Sequence, residues 1–259
     1  MTTVVAPAKL TLTLAVTGVR SDGFHELRSE MVSLSLCDAL TFTDGSEGLM
    51  VIAEPGTRPE ALPAADDNLI AQALRSVGRK ARVRVDKRIP LGGGLGGGST
   101  DAAAVLRWAD CDDLELALSL GSDVPFSVAG GRALVEGVGE QVTPLPYDQR
   151  RFLLLVPPFG VDTRAVYAAW DALRPDEQHV GANELTAAAL VVEPRLAKWR
   201  DALARHSGAA PILAGSGSTW FVEIALDETE AGARTISVGK TEGQLISVIT
   251  VPTGWDGEI

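Results

Sequence analysis

Between residues 90 and 106 the chain reads PLGGGLGGGSTDAAAVL, six glycines in seven positions followed at once by a hydroxyl pair and an alanine-rich run. Glycine loses more backbone freedom on folding than any other residue, so such a run suits only a backbone that needs positive φ or must come close to something. Before it, residues 82–86 alternate apolar and charged side chains, the period of a half-buried strand. After it, Ser99 or Thr100 is placed to cap a helix with Asp101 in its first turn, running to about residue 108. The fold must therefore supply a strand, a glycine loop and a helix in that order. Backbone N–H groups bare of side chains and opening onto a helix N-terminus form an anion cradle, and phosphate is its expected occupant. No Gly-Lys-[Ser/Thr] closes the loop, so it is not a P-loop, and the DKRIP segment separates it from its strand, which fits a dinucleotide fingerprint poorly. A flexible linker is the weaker alternative, because a proline bounds the run on one side and a helix start on the other.

An anion has to be met locally, because the 259-residue chain carries a formal charge of −11. That balance argues against nucleic-acid or anionic-membrane partners, which require a basic face. Hydrophobic residues make up 46% and charged residues 22%, enough for the core of one large or two modest domains. No apolar run reaches the roughly 18 residues needed to span a bilayer, and the N-terminus lacks a basic segment ahead of an apolar one, so a cytoplasmic location is expected. Cys37 and Cys111 are too few for a disulfide scaffold and read as buried thiols.

Elsewhere, alternation predicts strands over residues 10–16, 32–36 and 40–42, and Asp67 precedes a helical pattern that Gly78 stops. In the second half, residues 152–156 (FLLLV) read as a buried strand ending at Pro157 and Pro158. Helices are expected near 163–173, 183–190 and 194–206, and strands at 212–214, 220–224 and 245–251. The stretch 144–151 is the best boundary, dividing the chain into 1–147 and 148–259. His179 and His206 sit in polar helical surroundings and read as solvated.

Three segments, PAKLTL at 7–12, the glycine loop at 90–100 and AGSGST at 214–219, together resemble the three motifs of the GHMP family of small-molecule kinases. SDGFHEL at 21–27, the DKRIP-to-DA stretch at 86–102, LGSDVPF at 120–126 and EGVGE at 136–140 resemble one branch, whose acceptor is a cytidine-diphosphate-linked methylerythritol. The resemblance implies an α/β (α+β) two-domain fold: a ribosomal-S5-like N-terminal domain that binds ATP, a ferredoxin-like C-terminal domain, and the active site between them. It implies ATP with Mg²⁺, a small-molecule partner, and a monomer or homodimer.

The same resemblance assigns site residues. ATP falls to Asn68 and Lys87 at the adenosine and to the loop residues Pro90, Leu91, Gly92, Gly93, Gly94, Leu95, Gly96, Gly97, Gly98, Ser99 and Thr100 at the phosphates. Ser99 or Thr100 offers a hydroxyl to phosphate or metal. Asp123 takes the proton of the acceptor hydroxyl, and Lys9 keeps that carboxylate ionised and stabilises the developing alkoxide. Phe24 and Tyr167 sandwich the cytosine, His25 reads its edge, and Thr163 lies nearby. Read without the family, Asn68 is a helix start, Lys87 a solvated charge and Asp123 a turn residue before Pro125. Where the family usually has an acceptor-binding asparagine two positions after the motif lysine, this chain has Thr11, which still offers the acceptor a hydroxyl but loses the amide; the NELT stretch at 183–186 matches the family only in part. Two alternatives remain: a GHMP kinase for another small alcohol such as homoserine or mevalonate, and a GHMP-fold binding module without catalysis.

Overall fold

The computed structural model describes residues 1–45, 47–53, 68–173, 181–227 and 234–257. Two sheets divide the chain. The first is built on a long antiparallel pair, β1 (Thr2–Val19) and β2 (His25–Asp44). The free edge of β2 is shared: β5 (Arg132–Gly137) pairs with its residues 27–32 and β4 (Ala81–Lys87) with its residues 39–44. β3 (Gly48–Ala53) adds in parallel outside β4, and β6 (Gln141–Pro144) outside β5.

Four helices back this sheet: α1 (Leu69–Ser76), α2 (Gly97–Trp108), α3 (Leu114–Leu120) and α4 (Val124–Ala129). α2 is the central one, with every residue from Thr100 to Leu106 buried. A helix buried on all sides has no room for a polar stripe, and its alanines let β1, α1 and α4 approach it closely. It starts at Gly97, earlier than a Ser99 or Thr100 cap implies, because Gly96 in the left-handed region (φ 70°) ends the loop without any side-chain cap.

The second sheet is antiparallel in the order β10 (Arg234–Val238), β11 (Thr241–Ile249), β7 (Arg151–Val156), β9 (Trp220–Ile224), β8 (Ile212–Leu213). Leu153 and Leu155 of β7 face α5 (Thr163–Ala172), α6 (Thr186–Val192) and α7 (Leu196–Ser207), in a cluster with Trp170, Trp199 and Trp220. Phe152, Leu154 and Val156 face the other way, onto Leu10, Leu12, Leu34, Ile89 and Leu95 of the first half. Burial on both faces explains why β7 is apolar without interruption. The chain crosses between sheets at residues 145–150, yet the packing does not stop there: Thr250 bridges back to Leu34, and Asn183 bridges to Leu14.

Several expectations shift. The strands expected at 32–36 and 40–42 are parts of one 20-residue strand. The helix expected at 183–190 begins at Thr186, because Asn183 is engaged with β1, and the last strand is Thr241–Ile249 rather than 245–251. Cys37 is buried, and burial pushes its thiol up, but Cys111 is only half-buried. His206 is exposed in the last turn of α7, whereas His179 and Asp67 lie outside the described residues. No helix among the described residues is long and apolar enough to cross a membrane.

Candidate active site

The two glycine loops meet. Gly94 has φ 78°, and a Cβ there would stand 2.6 Å from the Ala214 carbonyl oxygen and 2.7 Å from that of Gly217. Thr219 donates its N–H to the Gly93 carbonyl at 3.2 Å. The second loop is held in turn by Asn183, whose amide donates to the carbonyls of Leu213 (2.8 Å) and Gly215 (2.7 Å). Its oxygen accepts the Leu185 N–H at the start of α6. Thr163, first residue of α5, shares a 2.8 Å hydrogen bond with Ser216 of the same loop.

β1 delivers Lys9 beneath this junction. Between Pro7 and Lys9 the β2 partner jumps from Cys37 to Ser33, and the glycine loop and α2 take over the freed backbone groups. Thr100 donates its hydroxyl to the Pro7 carbonyl (2.7 Å), and Lys9 donates its N–H to the Leu95 carbonyl (3.0 Å). The Lys9 ammonium, 6% exposed, lies 3.3 Å from Asp123 Oδ2 and donates to Thr11 Oγ1 at 3.2 Å. Thr11 is therefore buried despite its outward place in the alternation. Asp123, at the head of α4, keeps 28% of its side chain exposed. Nothing caps α4 through Asp123, which leaves both carboxylate oxygens outside the helix.

At the loop's end, the first helical bond of α2 runs from Thr100 N–H to the Gly96 carbonyl at 2.9 Å. The N–H groups of Gly97, Gly98 and Ser99 therefore have no acceptor within the helix, the arrangement that receives an anion. Thr100 is removed from the expected phosphate or metal hydroxyls, since it is fully buried and bonded to Pro7; Ser99, half-buried, remains.

The expected roles of Asn68 and Lys87 also change. Asn68 caps α1, its side-chain oxygen accepting the Ile70 N–H at 2.9 Å. Lys87 is 2% exposed, and its ammonium donates to Asp38 and, at 2.8 Å, to Asp101. Asp38 also accepts the N–H groups of Arg88 and Ile89. The ammonium is thus unavailable to a purine, and it is not a solvated charge either. It joins the two ends of the phosphate loop. Burial pushes the Asp101 carboxyl up to about 8 against the pull of Lys87, while for Lys87 the two carboxylates outweigh burial and hold it above its ordinary value.

Phe24, His25, Thr163 and Tyr167 line one cavity of about 480 Å³ together with Ser122, the neighbour of Asp123. The rings that meet are His25 and Tyr167, with centroids 4.7 Å apart and planes tilted by 32°; Phe24 is 64% exposed at the cavity's mouth. His25 Nε2 is bonded to Asp171 at 2.8 Å. Burial, and next the charge of Asp123, raise the Tyr167 phenol above its ordinary value. A larger hollow of about 710 Å³ lies between α1 and the starts of β3 and β4, and neither Lys9 nor Asp123 lines it. Among the described residues no group of three or more His, Cys, Asp or Glu side chains could hold a metal ion.

Asp38 and Asn183 were missed by sequence reasoning. An acid inside the apolar SLSLCDAL strand was a usable signal for Asp38, and the NELT stretch was one for Asn183.

Comparison with known proteins agrees with this geometry. The GHMP kinases N terminal domain matches residues 68–131. A 4-diphosphocytidyl-2-C-methyl-D-erythritol kinase of Paracoccus denitrificans (strain Pd 1222) is 37% identical over 256 residues, 92% of each chain. A crystal structure of 4-(cytidine 5'-diphospho)-2C-methyl-D-erythritol kinase superposes with a TM-score of 0.69 at 33% identity, covering 87% of this chain and 90% of the other. The L. major mevalonate kinase, at 13% identity and a TM-score of 0.62 over 88% of each chain, shares the fold. The chain thus belongs to the 4-diphosphocytidyl-2-C-methyl-D-erythritol kinases, a branch of the GHMP kinases.

Proposed function

We propose that this chain transfers the γ-phosphoryl group of ATP to a hydroxyl of 4-diphosphocytidyl-2-C-methyl-D-erythritol. The observation that carries it is the place of the Lys9–Asp123 pair, with the glycine loops on one side and the Phe24–His25–Tyr167 cavity, reached through Ser122, on the other. Phosphoryl transfer asks a protein mainly for positioning and charge stabilisation. The triphosphate lies on residues 90–99, with its purine toward the Asn68 amide at the start of α1. Asp123 accepts the proton of the acceptor hydroxyl, whose oxygen bonds to the γ-phosphorus as the bridge to the β-phosphate breaks and ADP departs. Lys9 offsets the charge growing on that oxygen, and Thr11 orients Lys9.

Mg²⁺ enters with the nucleotide: this ion is commonly held by substrate phosphates and water with few protein ligands, and among the described residues no cluster of three or more His, Cys, Asp or Glu offers a cage. Ser99 is the protein hydroxyl placed to join it. When bound, the ion neutralises phosphate charge. Phe24 and Tyr167 flank the cytosine, with His25 and Thr163 beside it, between an N-terminal domain of residues 1–147 and a C-terminal domain of 148–259. A kinase for mevalonate or homoserine leaves the aromatic cavity without a use. A coupled assay of ATP consumption with the cytidyl substrate, with mevalonate, with homoserine and with no acceptor tests this. Turnover that depends on the cytidyl substrate is expected; equal turnover with another alcohol, or none with any, rejects it.

A further inference from the structure

Arg107 lies in the last turn of α2, ten residues beyond its first, so about 15 Å along the axis from the phosphate end, and it does not line the aromatic cavity. Its guanidinium donates to two main-chain oxygens, Val5 at 2.8 Å and Ser127 at 2.5 Å. Val5 belongs to β1, four residues before Lys9, and Ser127 to α4, whose head is Asp123. Ser127 closes that turn by donating both its hydroxyl (2.8 Å) and its N–H (3.1 Å) to the Asp123 carbonyl.

Among the described residues no carboxylate pairs with Arg107. Burial pulls the guanidinium down to about 10, so it remains charged at neutral pH with only carbonyl dipoles to offset its desolvation. A buried charge without a counter-charge is a poor device for stability alone, because an apolar side chain of similar volume fills the site without the desolvation cost. What an arginine does that methionine cannot is hold two carbonyls in one rigid fork. These two carbonyls belong to the strand that carries the lysine and the helix that carries the acid.

The geometry points to Arg107 as a positioning residue that sets the separation of Lys9 and Asp123 by clamping β1 and α4 to the back of α2. The assignment rests on the kinase activity proposed above. Thr100 makes the companion contact to Pro7 at the other end of α2, so losing Arg107 lets β1 and α4 shift without releasing the phosphate loop. Displacements on the scale of 1 Å are enough to cost up to about a hundredfold in rate.

The test compares the parent with Arg107→Met and Arg107→Lys, in initial rates over both substrates and in amide hydrogen exchange of residues 5–9 and 123–127. For Arg107→Met, kcat should fall at least about tenfold while the KM values for ATP and acceptor stay within about threefold, with the melting temperature unchanged or higher. Arg107→Lys, which reaches only one carbonyl at a time, should recover part of kcat. Both segments should exchange faster in Arg107→Met than in the parent. A kcat within about threefold of the parent, a loss that falls equally on ATP affinity, or unchanged exchange in both segments overturns the assignment. A parent that fails to phosphorylate the cytidyl substrate sinks the proposed function instead, and the exchange comparison then decides the clamp by itself.

Discussion

Alanine at Gly98 and alanine at Gly96 should fail in opposite ways, and the contrast tells which glycines serve the ligand and which serve the fold. Gly98 has helical backbone in the first turn of α2, is exposed, and a Cβ there would meet only Leu69 Cδ1, at an ordinary 3.5 Å. Nothing in the protein requires glycine at this place, and a helical glycine replaced by alanine gains roughly 0.5–1 kcal/mol. For a chain of this size that corresponds to a melting temperature higher by about 1–4 °C. If the bare N–H groups of residues 97–99 receive the triphosphate, the added methyl stands in its way, and the KM for ATP should rise about tenfold on a stabilised protein. Gly96 has φ 70°, and its Cβ would fall 2.6 Å from Lys9 Cγ. The left-handed conformation costs alanine about 1–2 kcal/mol, and the Lys9 stem must move away from Asp123. Gly96→Ala should therefore melt about 2–8 °C lower and lose about tenfold or more in kcat. Calorimetry followed by ATP titration on both variants reads these quantities. A stabilised Gly98→Ala whose ATP requirement stays within about threefold of the parent would refute the cradle, leaving the glycines to loop packing alone.

Asp123→Asn should bind ATP as the parent does and lose about a hundred- to ten-thousandfold in turnover, the usual range for a positioned base; turnover within about threefold removes Asp123 from the mechanism. Tyr167→Ala should raise the acceptor KM about tenfold or more with little change for ATP, since stacking of a base on an aromatic ring is worth roughly 1–3 kcal/mol; equal effects on both substrates would count against the cytosine cavity. Asp101 holds its proton up to about pH 8 in the folded chain but only to about 3.9 when unfolded, so the native state binds more protons in between and stability falls as pH rises across that window. Asp101→Asn should lessen the fall in urea midpoint between pH 5 and pH 9, and an identical pH slope in parent and variant would show that Asp101 does not hold this proton.

Elements with a one-sided environment were legible in the sequence. β4 alternates because its sheet is covered on one face, α5 shows its stripe because its Val166 and Trp170 are buried in the core while the opposite side is exposed, and β7 is apolar throughout because both faces are buried. The start of α2 was misplaced because the rule looks for a capping side chain, whereas Gly96 ends the loop by conformation alone. β3, β6 and β10 are edge strands: β3 pairs with β4 across a long connection, while β6 and β10 are the short outer arms of hairpins with β5 and β11, and such edges carry little local alternation. α3 and α4, seven and six residues long, are shorter than any window in which a helical period stands out. At the site, the motifs marked the glycine loops and the Lys9–Asp123 pair, but not what holds them. Asp38 accepts main-chain N–H groups, and Asn183 and Arg107 donate to main-chain carbonyls, all distant in sequence, and almost any residue type can supply such a group.

Lys9 and Lys87 show where local pattern stops being informative. Lys9 lies midway along β1 and Lys87 ends β4 of the same sheet, and each binds a carboxylate. Lys87 meets two acids, both almost wholly buried, and its third neighbour is the loop it closes; any substrate that approached would have to displace a carboxylate from a water-free site, where a stranded charge is costly. Lys9 meets a single acid that stays over a quarter exposed, and its other partner is a hydroxyl. That pair is balanced, and its acid keeps contact with solvent beside Ser122 of the cavity wall, which suits the proposed entry of a substrate hydroxyl. The difference between a lysine that shapes the loop and the one proposed to attend the reaction lies in the number and exposure of the carboxylates opposite it. Those carboxylates stand 14 and 49 residues from Lys87 in the chain, and Asp123 is further still from Lys9, so only the fold decides which lysine is which.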